Sequence, residues 1–72
     1  MAYTKAVLDL VDRHIAQGER HIIQQEELIS RLRIRGLPAA AAEALLLQFR
    51  DALHEHRTHR DRIAEDLYGT SS

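Results

Sequence analysis

Apolar side chains recur every three or four residues along two long stretches of the chain. The first row runs through Leu8, Val11, Ile15, Gly18, Ile22, Gln25, Ile29 and Leu32. The second row runs through Ala42, Leu45, Phe49, Ala52, His56, His59, Ile63 and Asp66. Because this spacing places a row on one face of an α-helix, the pattern predicts two amphipathic helices.

A second row widens each apolar stripe. Beside the first row lie Val7, His14, His21 and Leu28. Beside the second row lie Leu46, Leu53, Arg60 and Leu67. Each stripe is therefore broader than the seam along which two helices touch each other. Two hairpins that pair into a four-helix bundle would cover the remaining apolar surface, and the pattern favours that assembly.

Glycine, proline and one threonine indicate where the helices begin and end. Thr4 suits the N-cap of the first helix. Gly36 suits the left-handed position after its last turn, and Pro38 suits the first turn of the second helix. We therefore predict a single all-α domain over residues 1–72, an antiparallel two-helix hairpin. Its predicted parts are helix 4–35, turn 36–37, helix 38–68 and a frayed tail 69–72.

Antiparallel pairing across this turn brings two histidine-containing stretches together. We expect Gly18 to face His56, because the missing side chain leaves room for an imidazole, and Ile15 to face His59. Three interpretations remain open. The imidazoles pack as a polar layer, they respond to pH, or they bind zinc through His56, His59 and His14. Across the same hairpin, Asp12 is expected to meet Arg60, which otherwise interrupts the second stripe.

The chain has 72 residues and no cysteine. A chain this short buries little surface, and without disulfides or a thiolate metal site it gains most from association. We expect a homodimer; the alternatives are binding to a different protein, and a monomer or a higher assembly. The residues predicted to carry association are Ile22, Leu28, Ile29, Leu32, Leu45, Leu46, Phe49 and Leu53.

The charge balance and the absent motifs narrow the function. A formal net charge of −1 argues against a dedicated nucleic-acid binder, although the arginines of "RLRIR" leave RNA binding as an alternative. No apolar run approaches the roughly 20 residues of a membrane span, so we expect a cytoplasmic protein. The chain holds no phosphate loop or nucleophile motif. We therefore predict a non-enzymatic interaction or regulatory module that needs no cofactor.

The stretches "GERHIIQQEELISRLRIRGLP" and "AEALLLQFRDALHEHRTHRDRI" resemble short bacterial helical-hairpin proteins of unassigned function, over residues 18–63. The resemblance implies an α-hairpin and carries over no functional residue. In architecture the predicted hairpin is also similar to small RNA-binding hairpin dimers that regulate plasmid copy number. A shared fold does not imply a shared function.

Overall fold

A computed structural model describes residues 3–69 and shows two helices, α1 (Lys5–Ile34) and α2 (Ala40–Tyr68). The helices pack side by side as an antiparallel hairpin that measures 53 × 18 × 18 Å. The predicted all-α hairpin is confirmed. Of the predicted frayed tail, residues 70–72 lie outside the described residues.

Both ends of α1 have the predicted capping geometry. The Thr4 side chain accepts a hydrogen bond from the backbone N–H three residues later, at 3.3 Å. At the other end, Gly36 has a φ of 69°, and the backbone N–H of Leu37 donates to the carbonyl of Leu32 at 2.9 Å. This is the Schellman arrangement, in which glycine takes the left-handed position and the next apolar residue folds back over the last turn.

The second helix begins two residues later than predicted. Ala39 is its N-cap, with φ −117° and ψ 0° and no side-chain hydrogen bond. Because Ala39 is not helical, Pro38 lies before the cap rather than in the first turn of α2. At the far end, Gly69 has a φ of 58° and donates its N–H to the carbonyl of Glu65 at 2.9 Å. Gly69 therefore ends α2 as expected.

The predicted row of α1 is confirmed along its whole length. Leu8, Gln25 and Ile29 are buried, and the other members of the row are half-buried. The predicted row of α2 is wrong at five positions, because Leu45, Ala52, His56, His59 and Asp66 are exposed. The buried and half-buried residues of α2 include Ala42, Leu46, Phe49, Leu53, Ile63 and Leu67.

The reason for this rotation of α2 is the size of the competing side chains. Turning the helix by one row buries Leu46 and Leu53 and leaves Leu45 and Ala52 at the edge. Leucine in place of alanine removes more apolar area from water, at about 25 cal/mol per Å². A spacing of three or four residues fits either row of α2, so the apolar area that each row buries decides the orientation of the helix.

Candidate interaction surface

The contact at Gly18 differs from the one expected. A Cβ atom added to Gly18 would lie 3.3 Å from Cδ1 of Leu53, and Leu53 is only 5% exposed. The prediction that His56 faces Gly18 is therefore wrong, since the rotation of α2 brings Leu53 into that space. His56 is exposed beside it. The glycine allows close packing of a leucine instead of an imidazole.

Gln25 is the buried polar side chain of the described core, with 9% exposure. Its Nε2 donates a hydrogen bond of 2.9 Å to the backbone carbonyl of Ala42. Because Ala42 lies in the first turn of α2, this bond ties the start of α2 to the last third of α1. The sequence pattern places Gln25 in the seam but does not reveal its backbone partner. The available signal was a polar side chain within an apolar row.

Four interhelix ion pairs follow one edge of the seam, which we call the ion-pair face. Their nitrogen–oxygen distances are 3.1 Å for Arg33–Glu43, 3.1 Å for Arg50–Glu26, 3.0 Å for Arg57–Glu19 and 2.7 Å for Arg60–Asp12. All of these side chains are about half exposed, so solvent screens the pairs and each adds little stability. Their regular spacing fixes how the two helices are aligned more than it stabilises them.

The pair between Asp12 and Arg60 confirms a prediction. In the register of the other three pairs, Asp12 would meet Ala64, which has no charge. Arg60 lies one turn earlier in α2, and its Nε donates to the Asp12 carboxylate at 2.7 Å. That hydrogen bond raises the pKa of the Arg60 guanidinium above its ordinary value. The carboxylate thus accommodates an arginine that occupies a seam position.

The opposite edge of the seam has a different character, and we call it the histidine face. Its flanking side chains are Val7, His14, His21, Leu28, Leu45, Ala52 and His59. Between residues 7–28 of α1 and 45–59 of α2, these flanking rows contain no Asp, Glu, Lys or Arg. The exposed His56 and the half-buried Phe49 reach the same face. The face therefore combines imidazoles with aliphatic side chains along most of the described length.

Three ring contacts hold the histidines of this face. His14 lies edge-on to His56 with ring centroids 6.3 Å apart. His21 is tilted against Phe49 at 6.0 Å. At the open end of the hairpin, Tyr3 meets a fourth imidazole, His59, edge-on at 6.1 Å. Every one of these histidines is exposed, so they line a surface and do not form the interior polar layer that we expected.

The three histidines predicted to bind zinc do not converge in the hairpin. His14 contacts His56, but His59 contacts Tyr3, one turn further along α2. Across residues 3–69, no three His, Asp or Glu side chains are grouped as a metal site requires. The part of the predicted set that the structure brings together is one pair, His14 and His56.

The residues predicted to carry association fall into three groups. Ile29 and Leu53 are each 5% exposed and are already covered within the hairpin. Leu28 and Leu45 are 37% and 40% exposed on the histidine face. The remaining four are half-buried along the seam: Ile22, Leu32, Leu46 and Phe49. Leu28 and Leu45 are therefore the members most accessible to a partner.

Comparison with family models, curated proteins and solved structures found no match for this chain. The resemblance to short bacterial helical hairpins thus rests on the sequence pattern alone. Within residues 3–69, neither α1 nor α2 contains an apolar stretch of the length and hydropathy needed to cross a membrane.

Proposed function

We propose that the hairpin is a non-enzymatic, cytoplasmic interaction module that dimerises into a four-helix bundle and binds or regulates a protein partner. The observation that supports it is the imbalance between buried and exposed apolar side chains. In residues 3–69, four apolar side chains are buried, namely Leu8, Ile29, Leu53 and Ile63. Ten large apolar side chains are more than a third exposed.

The size of the hairpin makes this imbalance energetically important. Fully burying one leucine or isoleucine stabilises a protein by about 1.5–3 kcal/mol, and a core of four such residues is small for a chain that must order two long helices. Association would cover further apolar area and add to that core. An elongated hairpin offers long sides to a partner, which is the geometry of helix-bundle assembly.

The ion pairs favour this proposal over RNA binding. Arg33, Arg50 and Arg57 each contact a glutamate of the other helix. A carboxylate beside each guanidinium reduces the positive potential that a phosphate backbone would meet. The arginines along this edge therefore support contact between the helices more than contact with nucleic acid.

Sedimentation equilibrium and thermal unfolding of the untagged full chain test the proposal. A dimer sediments at twice the chain mass, and each tenfold rise in protein concentration stabilises it by about 1.4 kcal/mol. We therefore expect the Tm to rise with concentration. A chain that sediments as a monomer throughout, with a Tm independent of concentration, would contradict self-association.

A further inference from the structure

The histidine face and the ion-pair face differ in the number of charged side chains that each would bring against a second copy of the chain. In a two-fold dimer each patch meets a copy of itself, so a row of like charges would face the same row. The flanking rows between residues 7–28 and 45–59 avoid that repulsion, because they hold no acidic side chain, lysine or arginine. The ion-pair face carries eight charged side chains that are already paired within the chain.

We propose that the histidine face is the surface through which two copies of this chain associate, and that its imidazoles make the association acid-sensitive. This inference rests on the proposed dimerisation and names the surface and its regulation. The occupant is a second copy because the face is complementary to itself. Leu28 and Leu45 form an apolar patch near the turn, and Tyr3 and Val7 form another near the open end.

The imidazoles lie between these two apolar patches. A two-fold axis perpendicular to the helices, through the middle of the face, would place each apolar patch on the opposite patch of the second copy. The same axis would place histidines against histidines. One long side of the hairpin measures 53 by 18 Å, which suffices for the roughly 800 Å² per partner of a standard stable interface.

The surroundings of the imidazoles determine the direction of the pH effect. Within one hairpin, their facing groups across the seam are aromatic or imidazole rings, as in the pair of His14 and His56. On α2 the charged neighbours along the chain include Glu55, Arg60 and Arg62, each within four residues of His56 or His59. Towards the ends of the face lie Arg31, Arg35 and Asp66. Asp66 accepts a hydrogen bond from the Tyr3 backbone N–H at 3.1 Å. Asp12 and Arg60 pair on the other face.

Histidine changes its charge between about pH 5 and 8. When two copies meet, imidazoles of both lose water and approach one another, and charging them there costs free energy. Protons therefore bind the separated hairpins in preference to the dimer. By linkage, the dimer is strongest while the imidazoles are neutral and weakens as pH falls through their titration.

The choice of face is tested by two matched substitutions on α2. Leu45 lies on the histidine face and is 40% exposed, whereas Leu47 lies beside the ion-pair face and is 61% exposed. Leu45→Glu introduces a carboxylate into the proposed interface, so its dimer Kd should rise about tenfold or more. Leu47→Glu should leave the Kd within about twofold. Helical circular dichroism should stay unchanged in both, since each site is exposed in the hairpin.

The outcomes separate this inference from the dimerisation on which it rests. A dimer that Leu45→Glu leaves intact, or that Leu47→Glu dissociates, overturns the choice of face while the interaction module stands. A wild-type chain that is monomeric at every concentration overturns both. Sedimentation equilibrium of the three proteins at the same salt concentration gives all of these readings.

The acid sensitivity has its own control in His54. This histidine lies seven residues after Leu47 on α2 and is outside the histidine face. The wild-type Kd should rise about tenfold or more from about pH 7.5 to 5.5. The double variant His14→Gln/His56→Gln should lose most of that response, whereas His54→Gln should keep it. An unchanged response in the double variant, or a response lost in His54→Gln, overturns the role of the face histidines.

Discussion

The two edges of the seam are built from the same pair of helices and differ in nearly everything else. On the ion-pair face, acidic or basic side chains recur every seven residues of α1, and each meets an opposite charge on α2. On the histidine face, imidazoles and aliphatic side chains take the equivalent positions. One edge satisfies its polar groups within the chain, and the other leaves apolar groups exposed to water.

The side chains beside a helix–helix seam can have two different effects. Charged flanks set the alignment and orientation of neighbouring helices, and exposed pairs add little stability. Uncharged flanks lower the cost of bringing a second apolar surface close, because no ionised side chain must lose its water. The hairpin therefore has its interhelix ion pairs on one edge and exposed apolar side chains on the other.

Both faces flank the same seam between α1 and α2, and a substitution of Leu53 tests whether that seam stabilises both. Leu53→Ala removes a side chain that is 5% exposed and packs against Gly18. We expect a loss of about 3 kcal/mol in the free energy of unfolding, measured by urea denaturation at fixed protein concentration. Both the alignment and the association should weaken together.

Leu47→Ala is the matched control, because Leu47 is 61% exposed on the same helix. Its effect should stay within about 0.5 kcal/mol. If Leu53→Ala costs less than about 1 kcal/mol, the seam does not depend on this residue, and the two faces are stabilised separately.

A charge swap tests whether the ion pairs of the ion-pair face contribute to stability. Arg50→Glu places two glutamates opposite each other at Glu26, and we expect a loss of about 1 kcal/mol that shrinks at high salt. Adding Glu26→Arg restores the pair in reverse and should recover most of the loss. The dimer Kd should stay within about twofold in the double variant. Dissociation of the reversed pair's dimer would show that this face takes part in association.

The residues of α1 that face the seam were predictable, because no other row of α1 is as apolar. Shifting that row in one direction would bring Asp12 and Glu19 into the seam, and shifting it in the other would replace isoleucines of the row with His14 and His21. A single orientation therefore buries the most apolar area. In α2 the two rows compete, since Phe49 and Ile63 belong to both. The choice between Leu46 with Leu53 and Leu45 with Ala52 depends on the area buried against α1. A count of apolar positions in the sequence does not include the area that each side chain buries.

The residue types of the histidine face were predictable from the sequence, but their positions relative to the seam were not. The sequence placed four histidines near one another, and the structure keeps them on one edge of the seam. The sequence could not show that Leu53, and not His56, would pack against Gly18, because that contact depends on the rotation of α2. The hydrogen bond from Gln25 to the Ala42 carbonyl was equally inaccessible. A long amide side chain reaches several backbone positions, and packing selects among them.

The smallest expected effect concerns Gly18, which lies directly behind the histidine face. Alanine in mid-helix is favoured over glycine by about 0.5–1 kcal/mol. Against this gain, the new Cβ would lie 3.3 Å from Cδ1 of Leu53, a contact that requires the leucine tip to move slightly. Because that tip is a terminal methyl group with torsional freedom, we expect Gly18→Ala to stabilise the chain by about 0.5 kcal/mol net. A loss of about 1 kcal/mol in urea denaturation would instead mean that Leu53 is locked in place. The backbones would then have to separate at this point, and the histidine face would change shape with them.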